Sequence, residues 1–361
     1  MFVYISFLFI TIMGTFIKQN KWIYRIALIY LFFISAFKSF SFGGVDSYYY
    51  QYFFTEVPGL TDISFDYFAN ATYGPGFVLI ASLAKTISSD YLAFQIVYSF
   101  LSIALLDQVV KRIPQKEDDY ILRLQFLTCY FCYRFIYNNW ISLRQNIANL
   151  IIWLVLLSIH KQTSKKGYFK LMLLVIIAAL FHSTALINLL LLPLIVLLQK
   201  VEMKKKILFV IPSSAILILF SDRIFTFVLN VFTQYIDSRY NHYSIGIGSN
   251  MVNYTIRIVC LMILYFRING IQDDKKTVMF DTLLAMAMIG SINVSIVYRF
   301  YEYFGIGLYY TLANIPRLFN KSRASYMLAN ILVVTVMLVI LTRFCITMDS
   351  GLYFTYHFFN N

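Results

Sequence analysis

Long apolar runs separated by short basic stretches set the pattern of this chain. The basic clusters lie at Lys18–Arg25, Lys111–Arg123, Lys161–Lys170, Lys200–Lys206, Arg267–Lys276 and Arg317–Arg323. From residue 111 onward each interval between clusters has room for one out-and-back helical hairpin. The expected spans are 120–137 with 141–160, 168–181 with 183–199, 207–220 with 251–266, and 277–296 with 301–315, and a last span at 324–346. The N-terminal third gives a span at 4–17, a second at 26–40, an outer loop over 41–73, and a return span at 91–110 preceded by a re-entrant or interfacial helix at 75–87. Several runs are shorter than the roughly 20 residues that cross a bilayer upright, so tilt or local thinning is implied. The runs lack the alternation of an outer-membrane barrel strand. The pattern predicts an all-α, polytopic membrane protein of about 12 transmembrane helices in one domain over 1–361, its basic loops inside. Met1–Ile17 lacks a basic start and a small-residue cleavage site and reads as a retained span.

Composition strengthens this picture. The 361 residues are 60% hydrophobic and only 13% charged, with mean hydropathy +0.70. Soluble domains carry roughly 25% charged residues, so this chain cannot cover itself in polar surface. The net charge of +13 would suggest nucleic acid in a soluble protein. Here the loop positions of Lys and Arg explain it, and nucleic acid is excluded as a partner. Cys129 and Cys132 form a C-x-x-C within LTCYFCYRF, an apolar setting that fits packed thiols better than a metal or redox pair. Glu117–Asp119 and Asp273–Asp274 sit among basic residues and read as solvated loops. No Walker A, H-E-x-x-H, G-x-S-x-G or dinucleotide fingerprint is present.

Four ionisable residues remain, each at an outer hairpin end in this topology. They are Asp46 in FGGVDSYYYQY, Arg144 in NNWISLRQNIAN, His182 in LFHSTALINLL and Arg299 in VYRFYEYF. Charge at membrane depth is costly and commonly lines a functional cavity. Each also has an ordinary reading: a snorkelling arginine, a core histidine paired with Ser183 or Thr184, a turn acid, a hairpin-turn charge. For Arg144 the neighbours favour function. Gln145 and Asn149 are four apart on one helix face, and a helix start beside a guanidinium makes an anion site.

In order along the chain these residues resemble the EpsG family of bacterial membrane proteins. The resemblance rests on GGVDSYYYQYF (43–53), RQNIA (144–148), the basic loop KQTSKKGYFK (161–170), AALFHSTALI (178–187), RYNHY (239–243) and RFYEYF (299–304). It covers nearly the whole chain. The family often has an arginine before a G-T-D element; here Lys38 is the nearest basic residue and the element reads Gly44-Val45-Asp46. The resemblance implies a GT-C-like, Wzy-type polymerase in the bacterial cytoplasmic membrane. Its partner would be a polyprenyl-diphosphate-linked oligosaccharide, alongside membrane lipid and other polysaccharide-assembly proteins, with no cofactor or metal. Arg144, Gln145, Arg299 and Arg239, with Arg257 in reserve, would hold the diphosphate, since arginines grip phosphate oxygens and stay charged. Asp46 or His182 would act as base on the acceptor hydroxyl. Tyr49, Tyr50, Tyr240 and Tyr243 would meet sugar rings.

Three other functions fit less of this. A flippase should show repeat symmetry and interrupted helices in matched halves, and none is visible. An acyltransferase would use His182 but leave the arginines idle. A non-catalytic assembly subunit would leave the outer charges unexplained.

Overall fold

Side chains with an apolar surround and few internal breaks fold here as helices, and polar caps mark where several of them start. The computed structural model describes residues 2–17, 20–159, 164–220, 275–289, 301–319 and 322–348, with scattered positions between 223 and 262 and between 352 and 358. Among the described residues there is no strand, only an isolated bridge between Lys38 and Phe358. The helices are α1 (Phe2–Phe16), α2 (Lys21–Ala36), α3 (Gly44–Glu56), α4 (Phe65–Asn70), α5 (Pro75–Ile87), α6 (Tyr91–Arg112) and α7 (Tyr120–Tyr130). They continue with α8 (Leu143–Ile159), α9 (Lys165–Phe181), α10 (Asn188–Leu198), α11 (Met203–Leu219), α12 (Lys275–Ile289), α13 (Gly305–Leu318) and α14 (Arg323–Thr347). Ser64, Asp90, Asp119, Ser164 and Ser322 each accept a hydrogen bond from a backbone amide of the helix they precede. Pro75 opens α5, where its missing N–H costs nothing.

The chain divides into two compact units. The first comprises residues 1–158, 163–186 and 313–361; the second comprises 159–162 and 187–312. In the first unit α2 packs on α6, α1 on α2 and α7, α5 on α6 and α9, and α14 on α7. Beyond Tyr130, α7 widens into π turns over Phe131–Phe135 and Tyr137–Ile141 before α8 begins. Rings fill the space beside these turns. Tyr4 and Phe7 lie against Phe131, and Trp140 stacks on Phe42 at 5.4 Å between centroids. In the second unit α11 packs on α12, with Lys206 Nζ donating to Thr282 Oγ1 at 2.8 Å. Phe280 stacks on Tyr310 at 3.7 Å, and Gly307 lets the backbone of Leu283 and Leu284 approach closely.

The all-helical class is as the sequence predicts. Among the described residues two helices, Tyr91–Arg112 and Arg323–Thr347, are long and apolar enough to cross a bilayer; five other apolar helices have 10–17 residues. On α14 Leu328, Ile331, Leu332 and Val339 are exposed, an apolar surface suited to lipid rather than water. Two expectations are corrected. Residues 41–73 are not a plain loop: they fold into a 3-10 turn (Phe40–Gly43), α3 and α4. Asp46 accordingly does not end the second span, which stops at Ala36; it stands in the first turn of α3. The break comes from Gly44, at φ 58° and ψ −149°, a conformation closed to side chains with a Cβ.

Candidate functional site

The site is built in the first unit from the starts of α3, α5 and α8. Its first component is the turn before α3. Phe42 is fully buried among Trp140, Tyr353, Tyr356 and His357, and Ser39 N–H donates to the His357 carbonyl at 2.8 Å. This anchors the 3-10 turn against the π segment that leads into α8. Gly44 then redirects the chain, and Asp46 follows with its side chain exposed, where a carboxylate suits the positive end of a helix.

The second component is the start of α8. Asn146 donates to Tyr98 Oη at 2.9 Å, Ser102 Oγ at 2.8 Å and Asn139 Oδ1 at 3.1 Å. Tyr98 Oη donates in turn to the Leu143 carbonyl at 3.1 Å. These buried bonds fix the first turn of α8 to α6 and to the π turn, and so fix Arg144. The Arg144 guanidinium carbon lies 4.4 Å from the centre of the Tyr73 ring, within cation–π range. Arg144 also comes within hydrogen-bonding reach of the Tyr50 hydroxyl. Its Nε is buried with no hydrogen-bond partner. Gln145 is buried, and Asn149 one turn further is fully buried with neither amide atom bonded.

Tyr50 and Tyr73 join the two components. Their ring centroids are 5.6 Å apart, and Phe77 of α5 covers both. Burial pushes the Tyr50 phenol up to about 12; Arg144 opposes that shift and Asp46 adds to it. The Tyr73 phenol is raised by burial, again with Arg144 opposing and Asp46 and Tyr49 adding. The charges of Asp46 and Arg144 therefore act on the same two phenols. Both phenols stay protonated at neutral pH and keep an O–H to donate.

His182 caps α9. Its N–H bonds to the Ala178 carbonyl at 3.1 Å, and Nδ1 lies 2.6 Å from Thr184 Oγ1, the partner its sequence neighbourhood suggested. The residues before it pack against the start of α5. A Cβ at Gly74 would collide with the Leu180 carbonyl oxygen, and one at Gly76 would lie 3.0 Å from the Phe181 ring. Gly74-Pro75-Gly76 thus seats Tyr73 beside the end of α9.

Of the sequence candidates, the structure gathers Asp46, Tyr49, Tyr50 and Arg144 around Tyr73. The Tyr50 ring, expected to meet sugars, is 4% exposed and covered by Tyr73 and Phe77, so it cannot offer a stacking face. Arg239, Tyr240, Tyr243, Arg257 and Arg299 lie outside the described residues. Cys129 and Cys132 are buried thiols. Among the described residues no three His, Cys, Asp or Glu side chains are grouped to hold a metal ion. Sequence reasoning missed Tyr73, whose signal was the Y-G-P-G turn, and the α6 partners of Asn146, which no local pattern reveals.

The fold and these groups define a helical membrane protein that holds an arginine and a carboxylate about a shared pair of tyrosines. The chain belongs to the EpsG family, whose profile matches residues 21–358. This makes it a membrane protein of polysaccharide biosynthesis, in a family associated with glycosyltransferase-like polymerases. Neither the curated proteins nor the solved structures contain a match to it.

Proposed function

We propose that the chain is a Wzy-type polymerase, crossing the bacterial cytoplasmic membrane about 12 times and joining repeat units presented on polyprenyl diphosphate at its outer face. A hydroxyl oxygen of one unit attacks the anomeric carbon of another. The bond from that carbon to the diphosphate oxygen breaks, and the lipid diphosphate leaves with the electron pair. The hydroxyl proton passes to Asp46 or to His182. Arg144 neutralises the leaving diphosphate, with the α8 start and Gln145 beside it; Arg299 and Arg239 join it on the strength of the sequence. Tyr49, Tyr240 and Tyr243 meet the sugars, while the Tyr50 hydroxyl orients Arg144. The orphaned amide of Asn149 suits a cavity wall that awaits a polar ligand.

The observation that carries this reading is the seat of Arg144 against the Tyr73 ring, beside Tyr50 on α3, the helix whose first turn carries Asp46. Base and anion holder must flank a single reacting centre, and the shared tyrosine pair supports that role for these two groups. The test is deletion of the gene in its host, followed by complementation with wild type, Asp46→Asn, Arg144→Lys and His182→Ala at matched membrane levels. A polymerase predicts single repeat units on lipid at the outer face and no long polymer in the deletion. Units trapped at the inner face would indicate a flippase, incomplete units a single-sugar transferase, and unchanged polymer would overturn the glycan reading.

A further inference from the structure

Beside the Asp46–Arg144 cluster lies a cleft of about 490 Å³. Its size is within the roughly 300–1,000 Å³ of small-molecule sites. Tyr49, Tyr52 and Glu56 line it from α3, Tyr67 and Asn70 from α4, and Tyr73 closes the end shared with Arg144.

The α3 residues recur at the spacing of one helix face, and Asp46 is one turn ahead of Tyr49 on the same stripe. The opposite face is buried: Tyr50 and Phe54 pack on Phe77, Tyr91 and Phe94, and Lys85 bonds the Phe54 carbonyl at 3.1 Å near the helix end. The helix is thus held by one side and presents the other. At 1.5 Å per residue, the stripe from Asp46 to Glu56 is about 15 Å long. Tyr49 and Tyr52 expose 61% and 68% of their surfaces along it.

We infer that this cleft binds the acceptor glycan, lying along α3 from Glu56 to Asp46. The inference rests on the polymerase reading and adds the location of the acceptor. Three observations select a sugar chain. The wall is aromatic, and flat phenol rings suit the apolar faces of pyranose rings while their hydroxyls bond the edges. Glu56 and Asn70 supply an acceptor and a donor for hydroxyls. Glu56 also repels the anionic headgroups that would otherwise settle among interfacial tyrosines. The direction follows from the far end: a sugar leaving the cleft at Tyr49 meets Asp46, the group proposed to take a hydroxyl proton, so its occupant supplies the attacking oxygen. The donor, which carries the diphosphate, belongs on the Arg144 side of Tyr73.

The test uses the full chain in nanodiscs and the repeat-unit oligosaccharide released from the host polymer by mild acid, which carries no phosphate. Binding is read by saturation-transfer NMR and titration. Wild type and the control Lys205→Gln, an exposed residue that does not line the cleft, should bind alike, while Tyr52→Ala and Glu56→Gln should each raise Kd by about five- to tenfold. Equal Kd values in all four proteins, or no binding by wild type, would overturn the assignment. So would loss of Tyr52→Ala from the membrane with unchanged Kd in the remainder, which is the behaviour of a bilayer anchor. The two readings fail separately. Polymer persisting in the deletion strain sinks the polymerase reading; polymer lost there with wild-type Kd in both cleft variants sinks the cleft alone.

Discussion

Replacing Arg144 with lysine keeps the charge and removes the fork. In the structure the guanidinium does two things at once: its carbon lies 4.4 Å from the centre of the Tyr73 ring, and it reaches the Tyr50 hydroxyl. Its Nε–H is without a partner and remains for an oxygen ligand. A lysine ammonium is one point, and seated against the Tyr73 face it cannot also grip two phosphate oxygens. The structural loss is small. Cation–π contact is worth about 0.5–2 kcal/mol, which lowers the melting temperature by a few degrees. The functional loss is larger, because a hydrogen bond to a charged group contributes about 1.5–3 kcal/mol and the diphosphate gains charge only as it leaves. Converted at 1.36 kcal/mol per decade, the rate should fall roughly 10- to 150-fold. The assay is conversion of lipid-linked units to polymer by membranes carrying matched amounts of each protein. A rate within about threefold of wild type would refute the diphosphate role, as would a loss accounted for by protein missing from the membrane. Tyr50→Phe, which keeps the ring and removes the hydroxyl, should fall between the two.

Three further predictions concern the frame around the site. Gly44→Ala should lose about 1–3 kcal/mol and turn Asp46 away, because φ 58° with ψ −149° is essentially restricted to glycine; calorimetry and the polymer assay should fall together, and wild-type values in both would refute the hinge role. Asn146→Ala removes an amide NH2 whose two hydrogens are shared among three buried acceptors at 2.8–3.1 Å; at about 0.6 kcal/mol for each of two bonds in a membrane the loss is roughly 1 kcal/mol, seen as a lower melting temperature with faster proteolysis near residue 142. At the start of α7 Arg317 donates to both oxygens of Asp119 at 2.6 and 2.7 Å. Burial alone would raise the Asp119 carboxyl, but the Arg317 bonds and charge, the Leu122 amide and Arg123 overcome it and hold the carboxyl below its ordinary 3.8. A carboxyl lowered on folding stabilises above its unfolded value, and that stability is lost as pH falls through the folded one. The melting temperature of wild type should therefore drop below about pH 4, and Arg317→Ala should flatten that drop while losing about 1 kcal/mol at neutral pH.

How much of this was legible follows from the range of the forces. Apolar runs bounded by basic clusters predicted helices wherever the described residues can be compared, because a backbone in lipid must bond to itself. Local chemistry marked the ends: Pro75, Asp90, Asp119 and Ser322 act within one turn of themselves. Arg144 at a helix start, and His182 with Thr184, were readable for the same reason. The segment 41–73 was not, since α3 is polar along one face and buries the other only against α5 and α6. Tyr50 and Tyr49 are adjacent and chemically identical in sequence, yet one is buried beneath Phe77 and the other faces the cleft. That difference, the platform Tyr73 makes for Arg144, and the anchoring of Asn146 by Ser102 and Tyr98 depend on residues 27 to 71 positions away or on the phase of a helix against its neighbours. The sequence by itself determined the solvent, the helices and the chemical groups available. Packing decided which of those groups share a site, because side-chain proximity across helices is fixed by the whole set of contacts and by no single segment.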